Sequence, residues 1–272
     1  MNTNSEVTII DAPSDSQLRD ISRLLLENQA RLNTKSYDTR WVKNAREGVF
    51  DYALASGFEI VELGNSWNRW NWWRNTKPTH FDLINMRVEA VDALHFILSD
   101  ILVQYDEDLQ EAEIACGAIL SYVQKSMPTF PSEDHEVRYI SSCIKGLLVY
   151  AGRTNPGTKS DATNALACLY NLAIVGCKIG FGALAAMYFA KSTLNGFRKE
   201  NGYGKKQYIK IWGHDEVNGP LEDNFILMNW VSQQNPPPTP TLMKSFLTVE
   251  YALVVEAAKV IEASSQGLVK RT

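Results

Sequence analysis

Two pairs of carboxylates, Glu59/Glu62 and Glu89/Asp92, constrain this chain more than any other feature. Each pair is spaced i, i+3, so on a helix its two side chains share one face. Apolar residues surround both: Phe58, Ile60, Val61 and Leu63 the first, Val88, Val91, Ala93 and Leu94 the second. Like charges on a partly apolar helix face repel and resist desolvation, so they call for a neutralising cation. Four carboxylates converging from two helices make an all-oxygen site for a hard cation, Mg²⁺ or Mn²⁺, with water and substrate phosphates completing the shell. Two amphipathic helices with solvated acidic faces would account for one such pair. They account poorly for the second, which interrupts an otherwise apolar helix.

The rest of the composition sets the frame. The chain has 272 residues, 45% hydrophobic and 21% charged, enough for one large domain with its own core; a single domain over 1–272 is expected. A net charge of -4 and a pI near 5.7 give no sign of a nucleic-acid or anionic-membrane surface. Cys116, Cys143, Cys168 and Cys177 lie far apart, without CxxC spacing or a histidine partner at zinc spacing. They read as reduced, buried thiols of an intracellular, cytoplasmic protein, in the host cytoplasm if the source is viral. The N-terminal MNTNSEVTIIDAPSDSQ has no basic segment followed by an apolar one, so no secretory signal is read there.

Helical spacing organises the first two thirds. Ser14 or Asp15 caps a helix over about 16–33, with Leu18, Ile21, Leu25 and Leu32 on its core face. Gln29 and Asn33 stand one turn apart, so their amides can reach one ligand. A second helix is expected over 39–64 and carries the first acidic pair. The following NSWNRWNWWRNTKPTH packs four of the seven tryptophans into seven residues, interleaved with Asn and Arg, and Pro78 stops the helix. Such a loop presents a stacking surface for a base. A third helix over 81–105 carries the second pair and then His95 and Phe96, which places His95 one turn from a metal ligand. Helices over 106–126 and 133–150 follow. The apolar run 162–190 is long enough to raise a membrane span, but Asn171 and Lys178 near its middle argue for a buried central helix of a bundle instead. Gly176 and Gly180 would let other helices approach it closely.

After Lys191 the character changes. Gly202, Gly204, Gly213 and Gly219 punctuate the segment, and Gln207–Trp212 alternates like a short strand. Lys191, Arg198, Lys205, Lys206 and Lys210 concentrate positive charge in an otherwise acidic protein, as a polyphosphate would require. A Pro-rich linker over 232–241 leads to a last amphipathic helix, 242–264. The fold expected is therefore all-α, a helical bundle with a four-carboxylate metal site between helices and a short, mobile, partly β-like basic segment over 191–224.

These segments together carry a resemblance. ExxE followed about 26 residues later by ExxD is similar to the all-α NTP pyrophosphatase superfamily of MazG-like enzymes. Within it, NQARLN, the Trp-rich loop, VDALHF and LNGFRKENGYGKKQYIKIW followed by EDN resemble the dimeric dUTPases. The resemblance implies Mg²⁺ on Glu59, Glu62, Glu89 and Asp92, with Glu59 or Glu62 also activating the attacking water. It implies a pyrimidine and deoxyribose pocket of Gln29, Asn33, His95, Phe96 and Asn195, with Trp70 or Trp72 on the base and Tyr203 near the sugar. Lys191, Arg198 and Lys210, with Asn224, would hold the phosphates. It further implies a homodimer that attacks the β-phosphate of dUTP, giving dUMP and pyrophosphate, and also takes dUDP, with neither a nucleic-acid nor a membrane partner. In two places the chain departs from the pattern: the Trp loop is longer, and Ala30 stands beside Gln29 where a second polar residue is expected. A related dCTP pyrophosphohydrolase is the neighbouring reading, and a non-catalytic helical metal-binding protein is the reading from another class.

Overall fold

The computed structural model describes residues 13–37, 39–69, 77–153 and 157–269, with side chains through residue 260. The chain folds as two compact units, Met1–Ala185 and Ala186–Thr272. Among the described residues there are ten α-helices and one two-stranded hairpin, so the all-α expectation holds. No helix among them is long and apolar enough to cross a membrane.

In the first unit the helix starts are written in side-chain chemistry. Helix α1 (Asp15–Tyr37) begins where the Ser14 hydroxyl accepts from the Gln17 amide and the Gln17 side chain accepts from the Ser14 amide. Asp51 caps α3 (Tyr52–Trp67) by accepting from the Leu54 amide, and Asp108 caps α5 (Leu109–Lys125) through the Glu111 amide. Full capping boxes open α4 (His80–Gln104), from Thr79 and Asp82, and α7 (Lys159–Val175), from Thr158 and Asp161. Helices α2 (Trp41–Arg46) and α6 (Glu133–Ala151) complete the set.

Two expected helices are each two. The helix read over 39–64 breaks between α2 and α3, because Gly48 takes a φ of +75° that a right-handed helix cannot use and Asp51 restarts the chain. The run 162–190 breaks between α7 and α8 (Phe181–Glu200). There Gly176 and Cys177 both donate to the Leu172 carbonyl and Lys178 sits at a φ of +57°. The central helix of the unit is therefore not that run but α4, which packs on α3, α7 and α1. Ile84, Met86, Ala90, Val91, Ala93, Leu94 and Ile97 are fully buried around most of its circumference, as expected of a helix enclosed by others. A polar stripe interrupts that apolar surface at Glu89, Asp92, His95 and Ser99.

The second unit holds the rest of α8, a 3-10 turn at Tyr203–Lys205, strands β1 (Ile211–Asp215) and β2 (Gly219–Glu222), and helices α9 (Asp223–Ser232) and α10 (Pro240–Val269). The strands pair antiparallel, with His214 opposite Pro220 and Asp215 opposite Gly219. The Asp215 side chain closes the turn by accepting from the Val217 and Asn218 amides. Strand β1 begins four residues later than the alternating run 207–212 suggested. In that run the Ile209 amide donates to the Tyr251 hydroxyl and its carbonyl accepts from the Trp212 indole, so side chains take the place of a ladder. Phe197, Tyr208, Trp212 and Tyr251 form an aromatic cluster, with Tyr208 and Tyr251 stacked at 4.8 Å.

Candidate active site

Helices α3 and α4 lie along one another and bring their acidic pairs together. One carboxylate oxygen each from Glu59, Glu89 and Asp92 lies within 4.8 Å of the other two, and all three residues are half-buried. Among the described residues no other group of three potential ligands comes as close. Three hard anionic oxygens from two helices suit a hard divalent cation that keeps open positions for water or phosphate. Glu62, one turn after Glu59 on α3, is exposed and is not one of the three.

Beside this cluster α1 and α4 share a buried polar network. Gln29 and Asn33 are 5% and 3% exposed, on the inner face of α1. The Gln29 Oε1 lies 2.8 Å from His95 Nδ1, and Gln29 Nε2 donates to Asn33 Oδ1 at 2.9 Å. Both amides also donate to the Ser99 hydroxyl, at 3.0 and 3.1 Å. Sequence spacing brought out Gln29, Asn33 and His95 but not Ser99, whose partners are 66 and 70 residues away. Phe96 is half-buried beside His95 on α4. Trp70 and Trp72 lie outside the described residues. On either side of them, Arg69 and Lys77 both donate to the Glu133 carboxylate, at 2.8 and 3.0 Å. Bonding to Lys77 and the nearby Arg69 charge hold that carboxyl below the usual range.

In the second unit Lys191, Asn195 and Arg198 follow one another at i, i+4 and i+7 on α8, so they share a face. Lys191 is buried. The Arg198 guanidinium makes a fork–fork pair with Asp223, at 2.7 and 2.5 Å, and donates to Asn224 Oδ1 at 2.9 Å. Asp223 has no exposed surface and also accepts from the Tyr208 hydroxyl at 2.7 Å. Burial alone would lower the Arg198 pKa; the Asp223 hydrogen bonds and charge outweigh it, and the pKa rises. The edge of Arg198 not turned to Asp223 is Nη1, which reaches Asn195 Oδ1 at 3.5 Å. Tyr203 is half-exposed, with its ring 5.5 Å from the guanidinium carbon. Lys210 pairs with Glu222 at 2.7 Å on the partly exposed hairpin.

Sequence reasoning also missed a second buried ion pair. Asp100, on α4, accepts from the Tyr150 hydroxyl at 2.7 Å and from Arg153 at 2.5 Å, and Arg153 lies over the Tyr150 ring. Burial, then the Asp100 charge, pushes the Tyr150 phenol well up. One signal was present: an acidic residue at the end of the apolar run ALHFILSD, where a solvated carboxylate has no place.

A family model described as dUTPase matches residues 21–203, about two thirds of the chain and every residue of the carboxylate cluster and the His95 network. No curated protein matches the chain. The helical architecture and the convergent carboxylates agree with the family match, and the cluster is compatible with a divalent metal. The chain belongs to the dUTPase family and is a hydrolase of the dUTP diphosphatase type.

Proposed function

We propose that the protein hydrolyses dUTP to dUMP and pyrophosphate with Mg²⁺, takes dUDP as a second substrate, and works as a homodimer. The observation that carries this reading is the meeting of Glu59, Glu89 and Asp92 within 4.8 Å beside the Gln29–Asn33–His95 network. A hard cation held by those three carboxylates supplies charge neutralisation at the phosphate oxygens. Glu62, exposed one turn away, then has the role of orienting a water and taking its proton as that water attacks the β-phosphorus. The amides of Gln29 and Asn33, with His95 and Phe96, hold the base and sugar, joined by a tryptophan from Trp70 and Trp72. Lys191, Lys210 and the Nη1 edge of Arg198 neutralise phosphate charge, with Asn195, Tyr203 and Asn224 around them. The pair of Arg198 with Asp223 pre-orients the guanidinium for a phosphate.

The decisive experiment is pyrophosphate release from dUTP, dCTP, dTTP and UTP, each with Mg²⁺ and with excess EDTA. Release from dUTP that EDTA abolishes is the expected result. Preference for dCTP would keep the metal site and overturn the base assignment, and no release from any nucleotide would overturn the function. Glu62→Gln and Asp92→Asn should each lower kcat by about 10²-fold or more, the usual worth of a general base. Full activity in Asp92→Asn would remove the carboxylates from the mechanism.

A further inference from the structure

A carboxamide has nearly the same shape after half a turn, yet its donor and acceptor exchange places. A pocket that reads a pyrimidine with Gln29 and Asn33 therefore discriminates only if something fixes which way those amides face. Uracil offers a donor at N3 and an acceptor at O4; cytosine offers the opposite at both positions. The selectivity between the two is set by whatever locks the amides.

Ser99 is 1% exposed where α4 meets α1. Its hydroxyl has one proton and two lone pairs, and all three are used. It donates to the His95 carbonyl at 2.8 Å, much the nearer of its two acceptors (Asn33 Oδ1 stands at 3.4 Å), and accepts from Gln29 Nε2 at 3.0 Å and from Asn33 Nδ2 at 3.1 Å. Gln29 Nε2 spends its other proton on Asn33 Oδ1 at 2.9 Å. Turning Gln29 round would set its oxygen against two acceptors, Ser99 Oγ and Asn33 Oδ1. Turning Asn33 round would set its nitrogen against the Gln29 nitrogen. Neither amide can rotate alone, and turning both together would set two oxygens against Ser99 Oγ, whose single proton goes to the His95 carbonyl. Gln29 Oε1 is thus what faces His95 Nδ1 at 2.8 Å, and an acceptor there requires the proton of the imidazole to sit on Nδ1.

We propose that Ser99 is the positioning residue that sets base selectivity: its saturated hydroxyl locks the Gln29 and Asn33 amides and, through Gln29, holds His95 in the Nδ1–H tautomer. The neutral ring then carries its lone pair at Nε2, and Asn33 keeps its nitrogen as a donor. An acceptor and a donor fixed in this way match N3–H and O4 of uracil and oppose cytosine. The link to selectivity rests on the dUTP reading above; the tautomer does not.

The test has two arms. Nitrogen NMR of the histidines, well above the ordinary imidazole pKa and with His95 assigned by comparison with His95→Asn, should show Nδ1–H in the wild-type chain. It should show loss of that single tautomer in Ser99→Ala and its retention in Ser99→Thr, which keeps the hydroxyl. In hydrolysis, Ser99→Ala should lose roughly tenfold or more of its dUTP-over-dCTP preference, mainly through KM, and Ser99→Thr should keep it. An Nε2–H tautomer in the wild-type chain overturns the proposal whatever the variants do. So does a folded Ser99→Ala with wild-type selectivity. A wild-type chain that shows Nδ1–H but hydrolyses no dUTP overturns the function and the selectivity role, and leaves the hydrogen-bond assignment standing.

Discussion

Asp223 has no exposed surface, and the Arg198 guanidinium that pairs with it lies 25 residues earlier. From sequence alone Arg198 reads as one of several phosphate cations, because spacing shows its sign but not its partner. The partner is readable only once β1 and β2 return the chain to α8. Asp100 and Arg153 repeat the lesson, and both pairs predict the same stability behaviour. Arg198→Ala or Arg153→Ala should destabilise by about 3–5 kcal/mol, since each leaves a buried carboxylate unanswered. Lys244→Ala breaks a pair to Glu200 in which both side chains are more than half exposed, and should cost at most ~1 kcal/mol. Urea midpoints decide it; equal losses in the three variants would mean that burial does not govern these pairs. The cysteines predict a pH dependence. Burial pushes Cys116, Cys143 and Cys177 up to about 12 from an ordinary value of 9.0. Between those values the unfolded chain has lost the thiol protons and the folded chain has kept them. Their contribution is therefore whole below about pH 9 and lost as pH rises toward 12, by up to about 1.4 kcal/mol per pH unit for each thiol. The urea midpoint should fall steadily between about pH 9 and about pH 11, and Cys116→Ala should flatten the slope.

At the scale of elements, helix starts were legible where a cap was read, as at Ser14; Thr79 and Thr158 open α4 and α7 by the same chemistry. The breaks were not. Apolar periodicity runs on through 39–64 and 162–190, and only the backbone at Gly48 and Lys178 shows where it is interrupted. Close helix approach is equally silent in the sequence. Gly57 on α3 faces Ala151 on α6 so closely that a Cβ at position 57 would stand 2.5 Å from the Ala151 Cβ. Gly57→Ala gains about 1 kcal/mol of helix propensity, yet neither backbone-borne methyl can swing aside. The helices must separate, and a net loss of about 1–3 kcal/mol should result. Glu59 is two residues along α3, so Mg²⁺ should also bind more weakly. Ala151→Gly in the same chain should recover much of both losses, a coupling that a double-mutant cycle measures. Additive losses would mean that the two helices adjust without touching.

Over the whole molecule, the carboxylate cluster and the His95 network lie in the first compact unit, and the basic residues from Lys191 onward lie in the second. The change of character read after Lys191 lies a few residues past the boundary, which itself falls inside the regular apolar spacing of α8. The Pro-rich stretch, by contrast, looks like a divide and joins α9 to α10 within one unit. The ordered motifs could be read along the chain; that the segment from Lys191 packs with α9 and α10 as a unit of its own could not, since it depends on which distant segments pack together. Ligand linkage tests the function at this scale. A cation that binds only the folded chain raises its unfolding free energy by RT ln(1 + [L]/Kd), about 2.7 kcal/mol at a hundredfold excess over Kd. Mg²⁺ should therefore raise the wild-type unfolding midpoint, and a non-hydrolysable dUTP analogue should add to it. Neither gain should survive in Asp92→Asn. If the working form is a homodimer whose protomers unfold as they separate, the midpoint should also climb with protein concentration, with and without metal. A midpoint independent of concentration, in a sample that sediments as a monomer, would remove the dimer. A Mg²⁺ gain that persists in Asp92→Asn would place the cation somewhere other than the three convergent carboxylates.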